Sequence, residues 1–300
     1  MLEITLYDSN FPHQEYLTPY LKSSKIIWKR DNIRRNINVY TDNFIKKTVI
    51  DVPQDGNINV CILLEPLTNP PWTDIYDYIQ TDFEKFDLII THNIDKLGDL
   101  ISERPEKFVY NTFCNTSSWL EDIMIGHHEK NKMISMPFSR KSFSEGHQLR
   151  HTIYNRFKDS SKIDFYGDGV PNFSGEFREC FFGYKYTIVC ENTLQKGFNS
   201  DRLRDAILTK TIPIYWGSKL HDDNLEIQSI FYFSPDKDRI NFNFEESILN
   251  LEKIIDYIYK NDPYDTLREY VENNFQYLLP KKQSEDNIYD VLLTKGYIRN

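Results

Sequence analysis

The stretch from Tyr186 to Ser218 constrains the fold of this chain more than any other. The apolar run Tyr186-Thr187-Ile188-Val189-Cys190 ends in Glu191-Asn192-Thr193. The chain then turns through Gly197, and a helix begins near Ser200 with Leu203, Ala206 and Ile207 at core spacing. A second short strand, Ile212-Pro213-Ile214-Tyr215-Trp216, follows at once and ends in Gly217-Ser218. Strand, crossover helix and strand within about 30 residues make a parallel βαβ unit. The loop after its first strand lies at the carboxyl edge of the sheet, where ligands bind.

The helix start sets the chemistry of that loop. Backbone N–H groups in a first helical turn are unpaired and carry partial positive charge, which favours a phosphate there by roughly 0.3–1 kcal/mol. Arg202 adds a charge-assisted hydrogen bond worth about 1.5–3 kcal/mol. Asp201 repels phosphate but accepts hydrogen bonds from paired hydroxyls, as an acidic residue holding a ribose does. Together these point to a nucleotide. The plainer alternative is that Ser200 and Asp201 cap the helix while Arg202 faces solvent.

Glu191-Asn192-Thr193, Gly197-Phe198, Asp201-Arg202 and Ile212-Pro213-Ile214-Tyr215-Trp216-Gly217-Ser218 together resemble the donor-binding signature of the α-1,3/1,4-fucosyltransferases, glycosyltransferase family ten. In that family a Tyr-Val-Thr-Glu-Lys element occupies the place of Phe198 to Arg202, and its Glu and Lys contact the ribose and phosphates of GDP-fucose. Asp201 is one methylene shorter than that Glu, and Arg202 replaces the Lys, so charge is kept while reach and fork geometry change. The resemblance implies a GT-B fold, α/β with two Rossmann-like domains facing across a cleft. It also implies an inverting transfer of fucose from GDP-fucose to a hydroxyl of an oligosaccharide or glycan acceptor.

Further site residues follow. Arg150 lies on a helix that follows a strand and the Ser139 to Gly146 loop, so its head points toward the same carboxyl edge. An arginine on the corresponding element clamps the donor pyrophosphate in the family. When the glycosidic bond breaks, the departing nucleoside diphosphate gains charge, which Arg150 and Arg202 would share without a metal. Glu65 is the expected catalytic base: it follows the apolar strand Val60-Cys61-Ile62-Leu63-Leu64 and precedes Pro66, and partial burial there raises a carboxyl pKa. Glu191 and Asn192 either bind sugar hydroxyls or hold the loop, with Asn192 the more structural of the two. Tyr215, Trp216 and Gly217 end the next strand, where Trp216 lines the donor pocket or packs the core. Phe165-Tyr166-Gly167-Asp168-Gly169 also ends a strand; its glycines permit close approach to a ligand, or form a plain turn.

With 300 residues, two domains are expected, 1–129 for the acceptor and 130–300 for the nucleotide-sugar donor with C-terminal helices. The boundary falls in the polar run Gly126-His127-His128-Glu129-Lys130-Asn131-Lys132. In the first half, strands are expected at Glu3 to Tyr7, Lys25 to Trp28, Asn59 to Leu64, Leu88 to Thr91 and Phe108 to Asn111, with helices near 14–22, 73–85 and 94–102. The second half adds Met133 to Met136, a helix at 144–157, Ile163 to Tyr166, the βαβ unit and Phe231 to Phe233. Helices at Phe244 to Lys260, Tyr264 to Tyr277 and Glu285 to Thr294 close it, and in this architecture tail helices often return to brace the first domain.

A net charge of −9 argues against nucleic acid as a partner. No apolar run of about 18 residues suits a membrane span, and Met1 to Tyr7 reads as a first strand rather than a signal. A cytoplasmic protein is expected, of soluble microbial or viral type or a trimmed form of a longer one. Cys61, Cys114, Cys180 and Cys190 show no metal or pairing pattern, and Cys61 and Cys190 read as buried free thiols. Asp236-Lys237-Asp238 matches an Asp-x-Asp metal pattern, but the two-Rossmann reading puts it past the donor helix, and no metal or cofactor is expected. His127-His128 reads as a solvated linker. Loops Thr68 to Asp74 and Thr112 to Ser118 would meet the acceptor. Three alternatives stay open: the same fold with another nucleotide sugar, a non-catalytic nucleotide- or carbohydrate-binding protein, and an oxidoreductase, against which the lack of a Gly-x-Gly-x-x-Gly fingerprint counts.

Overall fold

Short runs of Ile, Val, Leu and Tyr pair into two parallel sheets whose central strands are buried on both faces, the arrangement that crossover helices impose. The structure is a computed structural model and describes residues 1–8, 23–46, 51–66, 74–114, 118–126, 129–220, 224–235 and 244–299. The expected helix at 14–22, Asp236-Lys237-Asp238, His127-His128 and most of the two acceptor loops lie outside the described residues.

The first sheet holds β1 (Leu2–Tyr7), β2 (Ile26–Lys29), β3 (Ile37–Thr41), β4 (Ile58–Ile62), β5 (Leu88–Thr91) and β6 (Phe108–Tyr110), in the order β2-β1-β3-β4-β5-β6. Alternation along β4 sends Val60 and Ile62 to one face and Cys61 to the other. The first face packs against Ile288 and Leu292 of the helix Ser284–Thr294. The second packs against Ile75, Tyr76 and Ile79 of α1 (Ile75–Asp82) and Leu97 of α2 (Ile94–Glu103). Strand β3 had not been expected. It lies between β1 and β4 with all five residues buried, and its polar Asn38 is satisfied locally, accepting from Arg35 N at 3.1 Å and donating to Arg35 O at 2.7 Å.

The second sheet holds β7 (Lys132–Pro137), β8 (Asp164–Tyr166), β9 (Tyr184–Cys190), β10 (Ile212–Trp216) and β11 (Phe231–Tyr232), in the order β11-β10-β9-β7-β8. Its helices are α3 (Glu145–Phe157), α4 (Asp201–Leu208), α5 (Phe244–Asn261) and α6 (Arg268–Leu278). The expected βαβ unit is β9-α4-β10, with Ile188 opposite Ile214 in parallel register. One core runs through Ile134, Leu149, Ile188, Ile214 and Trp216 to Leu251 and Ile255 of α5. The closing helix Ser284–Thr294 is α7.

The chain divides into a unit of residues 1–118, 195–198 and 281–300 and a unit of residues 119–194 and 199–280. The division therefore comes at Ser118, ahead of the polar run near 129, and α7 is counted with the first unit because its apolar face covers that unit's sheet. Both units have the strand winding of a Rossmann-like layer. All four cysteines are buried free thiols. Among the described residues, no helix is long and apolar enough to cross a membrane.

Candidate functional site

In the second sheet the strand order reverses between β7 and β9, and the crevice beyond the carboxyl ends of these strands is where such sheets bind ligands. Helix α3 starts at this crevice. Ser144 caps it, its Oγ accepting from His147 N at 3.3 Å. A Cβ on Gly146 would lie 1.7 Å from the carbonyl oxygen of Glu191, so only glycine lets α3 come this close to the end of β9. Gly146 N donates to Asn192 O at 3.1 Å, and Glu145 Oε1 accepts from Thr193 Oγ1 at 2.8 Å and Leu194 N at 3.0 Å. The loop after β9 is thus pinned to the first turn of α3.

Arg150 sits one turn further along α3 and is only 2% exposed. Its Nε and Nη2 donate to Cys190 O at 3.2 and 2.5 Å, and Nη2 donates to Asn192 Oδ1 at 2.9 Å. All these acceptors are neutral. Burial, and after it the charge of Arg202, push the Arg150 guanidinium down to about 9. Arg202, in the first turn of α4, has no hydrogen bond or ion pair of its side chain among the described residues. Both arginines line a pocket of about 250 Å³ with Lys141, Ser139, Phe138, Tyr166, Gly167, Asp168 and Phe177. Glu191 and Asp201 offset part of this charge, but neither guanidinium has a carboxylate hydrogen-bonded to it, so the pair favours an anion, and two guanidinium forks match phosphate oxygens.

Of the other residues expected to bind the donor, Glu191 is fully buried: its Oε1 accepts from Ser200 N at 2.9 Å and Tyr215 Oη at 3.1 Å, and burial raises its carboxyl pKa. It ties the end of β9 to the start of α4, and Asn192 holds Arg150. Tyr215 and Trp216 lie in the core, Trp216 donating from Nε1 to Ser247 Oγ at 3.3 Å. A Cβ on Gly217 would meet the Tyr215 hydroxyl at 2.3 Å. Asp201 is the partly exposed first residue of α4. None of these six lines the pocket. Lys141, Glu145 and Gly146 had not been singled out; the signal available was a capping Ser144 followed by a glycine in a helical first turn.

Glu65 and Phe198 belong to the first unit. Glu65 is half-buried just past β4, and Tyr76 Oη donates to its backbone oxygen at 2.8 Å. His92, past β5, is fully buried with Nδ1 at 3.1 Å from Leu63 O, and burial pushes it down to about 4, so it is neutral. The Phe198 ring lies 5.2 Å from that imidazole. Gly197 beside it has φ +82°, and a Cβ there would meet His92 O at 2.2 Å. Among the described residues, no group of three or more His, Cys, Asp or Glu is placed to hold a metal ion.

No protein-family model matches the chain, and no curated protein matches it by sequence. Solved structures of GT-B glycosyltransferases do share its fold. The GtfA/B complex superposes with a TM-score of 0.55 at 11% identity, covering 88% of this chain and 58% of that one. This chain thus spans little more than half the length of that relative. An α1,3-fucosyltransferase gives 0.52 at 14% identity, covering 91% and 82% of the two chains. HepE of Anabaena in complex with UDP-glucose gives 0.50 at 14% identity, covering 85% and 78%. The two α/β units are of the GT-B type.

Proposed function

We propose that this protein is an inverting glycosyltransferase that moves fucose from GDP-fucose to a hydroxyl of an oligosaccharide or glycan acceptor. The observation that carries the reading is the arginine pair: Arg150 is buried against neutral acceptors and Arg202 lines the same pocket with no carboxylate bound to it. A nucleoside diphosphate placed there answers both charges. The GT-B fold, and the resemblance of Phe198 to Arg202 and of Ile212 to Ser218 to the fucosyltransferase donor signature, support the sugar-nucleotide class.

In the proposed displacement the glycosidic C–O bond breaks as the acceptor oxygen attacks the opposite face of the sugar carbon, through an oxocarbenium-like state. Glu65 takes the acceptor's proton, and the electron pair of the broken bond leaves on the diphosphate. Arg150 and Arg202 stabilise that charge, which is where preorganised cations contribute most. Asp201 holds the ribose hydroxyls. No metal takes part in this scheme, so transfer is expected to survive a chelator.

The test is a calorimetric titration with GDP alongside an assay of GDP release from GDP-fucose. Arg202→Ala should weaken GDP by about 10- to 100-fold, the loss of a charge-assisted hydrogen bond. Glu65→Gln should leave GDP affinity unchanged and abolish transfer. Unchanged GDP binding in both Arg150→Ala and Arg202→Ala would sink the donor site; unchanged transfer in Glu65→Gln would sink the base. Because Asp201-Arg202 departs from the family's Glu-Lys and a neighbour of this fold is solved with UDP-glucose, the second reading is the same chemistry on another nucleotide sugar.

A further inference from the structure

The pocket at the β7/β9 switch point has two ends, and the arginines occupy one. They stand at the β9 side, Arg150 through its bonds to Cys190 and Asn192 and Arg202 on the helix that follows β9. The opposite wall is the end of β8, the edge strand on the far side of β7, where Tyr166, Gly167 and Asp168 line the same pocket. Adjacent strands are about 4.8 Å apart, so the two walls are separated by about 10 Å. That is comparable to the reach from the diphosphate of a nucleotide to the far edge of its base.

The turn after β8 is built to hold Asp168 there. Gly167 has φ +124°, and a Cβ on it would lie 2.4 Å from Phe138 O, so the turn presses directly on the end of β7. Arg140 fixes the backbone, its Nε donating to Asp168 O at 2.7 Å and its N to Asp168 Oδ1 at 3.3 Å. Oδ2 has no hydrogen-bond or ion-pair partner among the described residues. The hydroxyl oxygen of Ser139, just past β7 and lining the same pocket, is buried and also without a partner among them.

We infer that Asp168 reads the base of the bound nucleotide and that this base is guanine. The inference rests on the pocket being a nucleoside diphosphate site. A carboxylate only accepts hydrogen bonds, through two oxygens side by side. Guanine offers it two adjacent donors, N1–H and the N2 amino group. Adenine, cytosine and uracil place an acceptor beside the donor on the corresponding edge, which a carboxylate repels. The neighbouring guanine O6 requires a donor, and the Ser139 hydroxyl supplies one. A bidentate pair of this kind separates right from wrong bases by about 5- to 150-fold.

The experiment titrates the whole protein with GDP, IDP, UDP and XDP. IDP lacks the N2 donor and should bind on the order of tenfold more weakly than GDP. Asp168→Asn presents an amide N–H where the carboxylate had an oxygen; it should weaken GDP by about tenfold or more and tighten XDP, whose O2 replaces the amino group, by a similar factor. A gain in XDP affinity cannot come from misfolding. Equal affinities for GDP and IDP, no XDP gain in Asp168→Asn, or tighter binding of UDP than GDP would each overturn the assignment. In those cases loss of binding in Arg202→Ala would still uphold the pocket as a diphosphate site. Absence of binding by every nucleoside diphosphate would remove the proposed function and this inference with it.

Discussion

The two units wind their first four strands in the same order, each with a switch point between its first and third strands, and the two differ in how charge is treated at the carboxyl ends of these strands. In the first unit, Arg30 past β2 donates from Nε and Nη2 to both carboxylate oxygens of Asp8 past β1, each at 2.9 Å. Tyr7 and Tyr40 stack beside them with ring centroids 4.8 Å apart. In the second unit, Arg150 and Arg202 meet only neutral oxygens or none. The winding supplies a crevice in both; in the first the guanidinium is paired with a carboxylate, and in the second neither guanidinium has a carboxylate hydrogen-bonded to it, the contrast on which the proposed diphosphate site rests. In the first unit the proposed base, Glu65, lies further along the sheet, past β4, its backbone oxygen accepting from Tyr76 Oη, which also lies 3.4 Å from Nε2 of His92.

The sharpest way to break the comparison is through the glycine that seats each edge. Gly146→Ala drives a methyl into Glu191 O, 1.7 Å away, and Gly197→Ala drives one into His92 O at 2.2 Å. Neither target is a side chain that can turn aside. Gly146→Ala should cost more than about 3 kcal/mol, beyond ordinary overpacking. Hydrogen exchange should locate the loss in residues 119–194, whereas Gly197→Ala should loosen residues 1–118. A Gly146→Ala protein as stable as the parent would contradict the seating of α3 on β9.

A second test uses acid. His92 is held at about 4 in the folded chain and returns to its ordinary 6.5 when unfolded. The unfolded chain therefore takes up the proton first, and stability should fall as pH drops from about 6.5 to 4, by up to about 3 kcal/mol in the first unit. Arg150, though pushed down to about 9, stays charged across that range and adds no acid dependence. Urea midpoints measured at pH 7 and pH 4 should lie closer together in His92→Gln than in the parent; an identical separation would show that the imidazole is not held neutral.

The smallest contrast lies in the caps of two helices of the second unit, α3 and α4. Ser144 accepts from His147 N, so Ser144→Ala should cost about 1 kcal/mol. The Ser200 hydroxyl makes no cap bond, and its removal should change stability by only a few tenths. Equal losses in both variants, read from thermal melts, would mean that α4 is capped as α3 is.

Much of the fold was legible because apolar runs of the correct length alternate with helical spacing: β9-α4-β10, β5 and α2 fall where the pattern puts them. Strand β3 was hidden because Asn38 interrupts a short apolar run, and only its bonds to Arg35 show that the amide is satisfied inside the sheet. At the site, Arg150 and Arg202 were visible as charges after strands. Tyr215, Trp216 and Phe198 were not separable from core residues, since an aromatic at a strand end or in the loop before a helix looks the same whether its ring meets a ligand or Ser247 and His92. Gly146 was missed because its necessity comes from a carbonyl 45 positions later in the chain.

The placement of α7 bears on how the protein is made. Ile288 and Leu292 cover one face of the first sheet, and Ser23 Oγ donates to Asp286 Oδ1 at 2.6 Å. The strands of the first sheet leave the ribosome well before α7 and thus keep an apolar face bare until it emerges, while residues 119–194 and 199–280 can close their own core in between. At about 5–20 residues per second that delay lasts tens of seconds. The first sheet is made before the second unit and the helix that covers it after, and in that interval the uncovered sheet is the surface on which a chaperone would act.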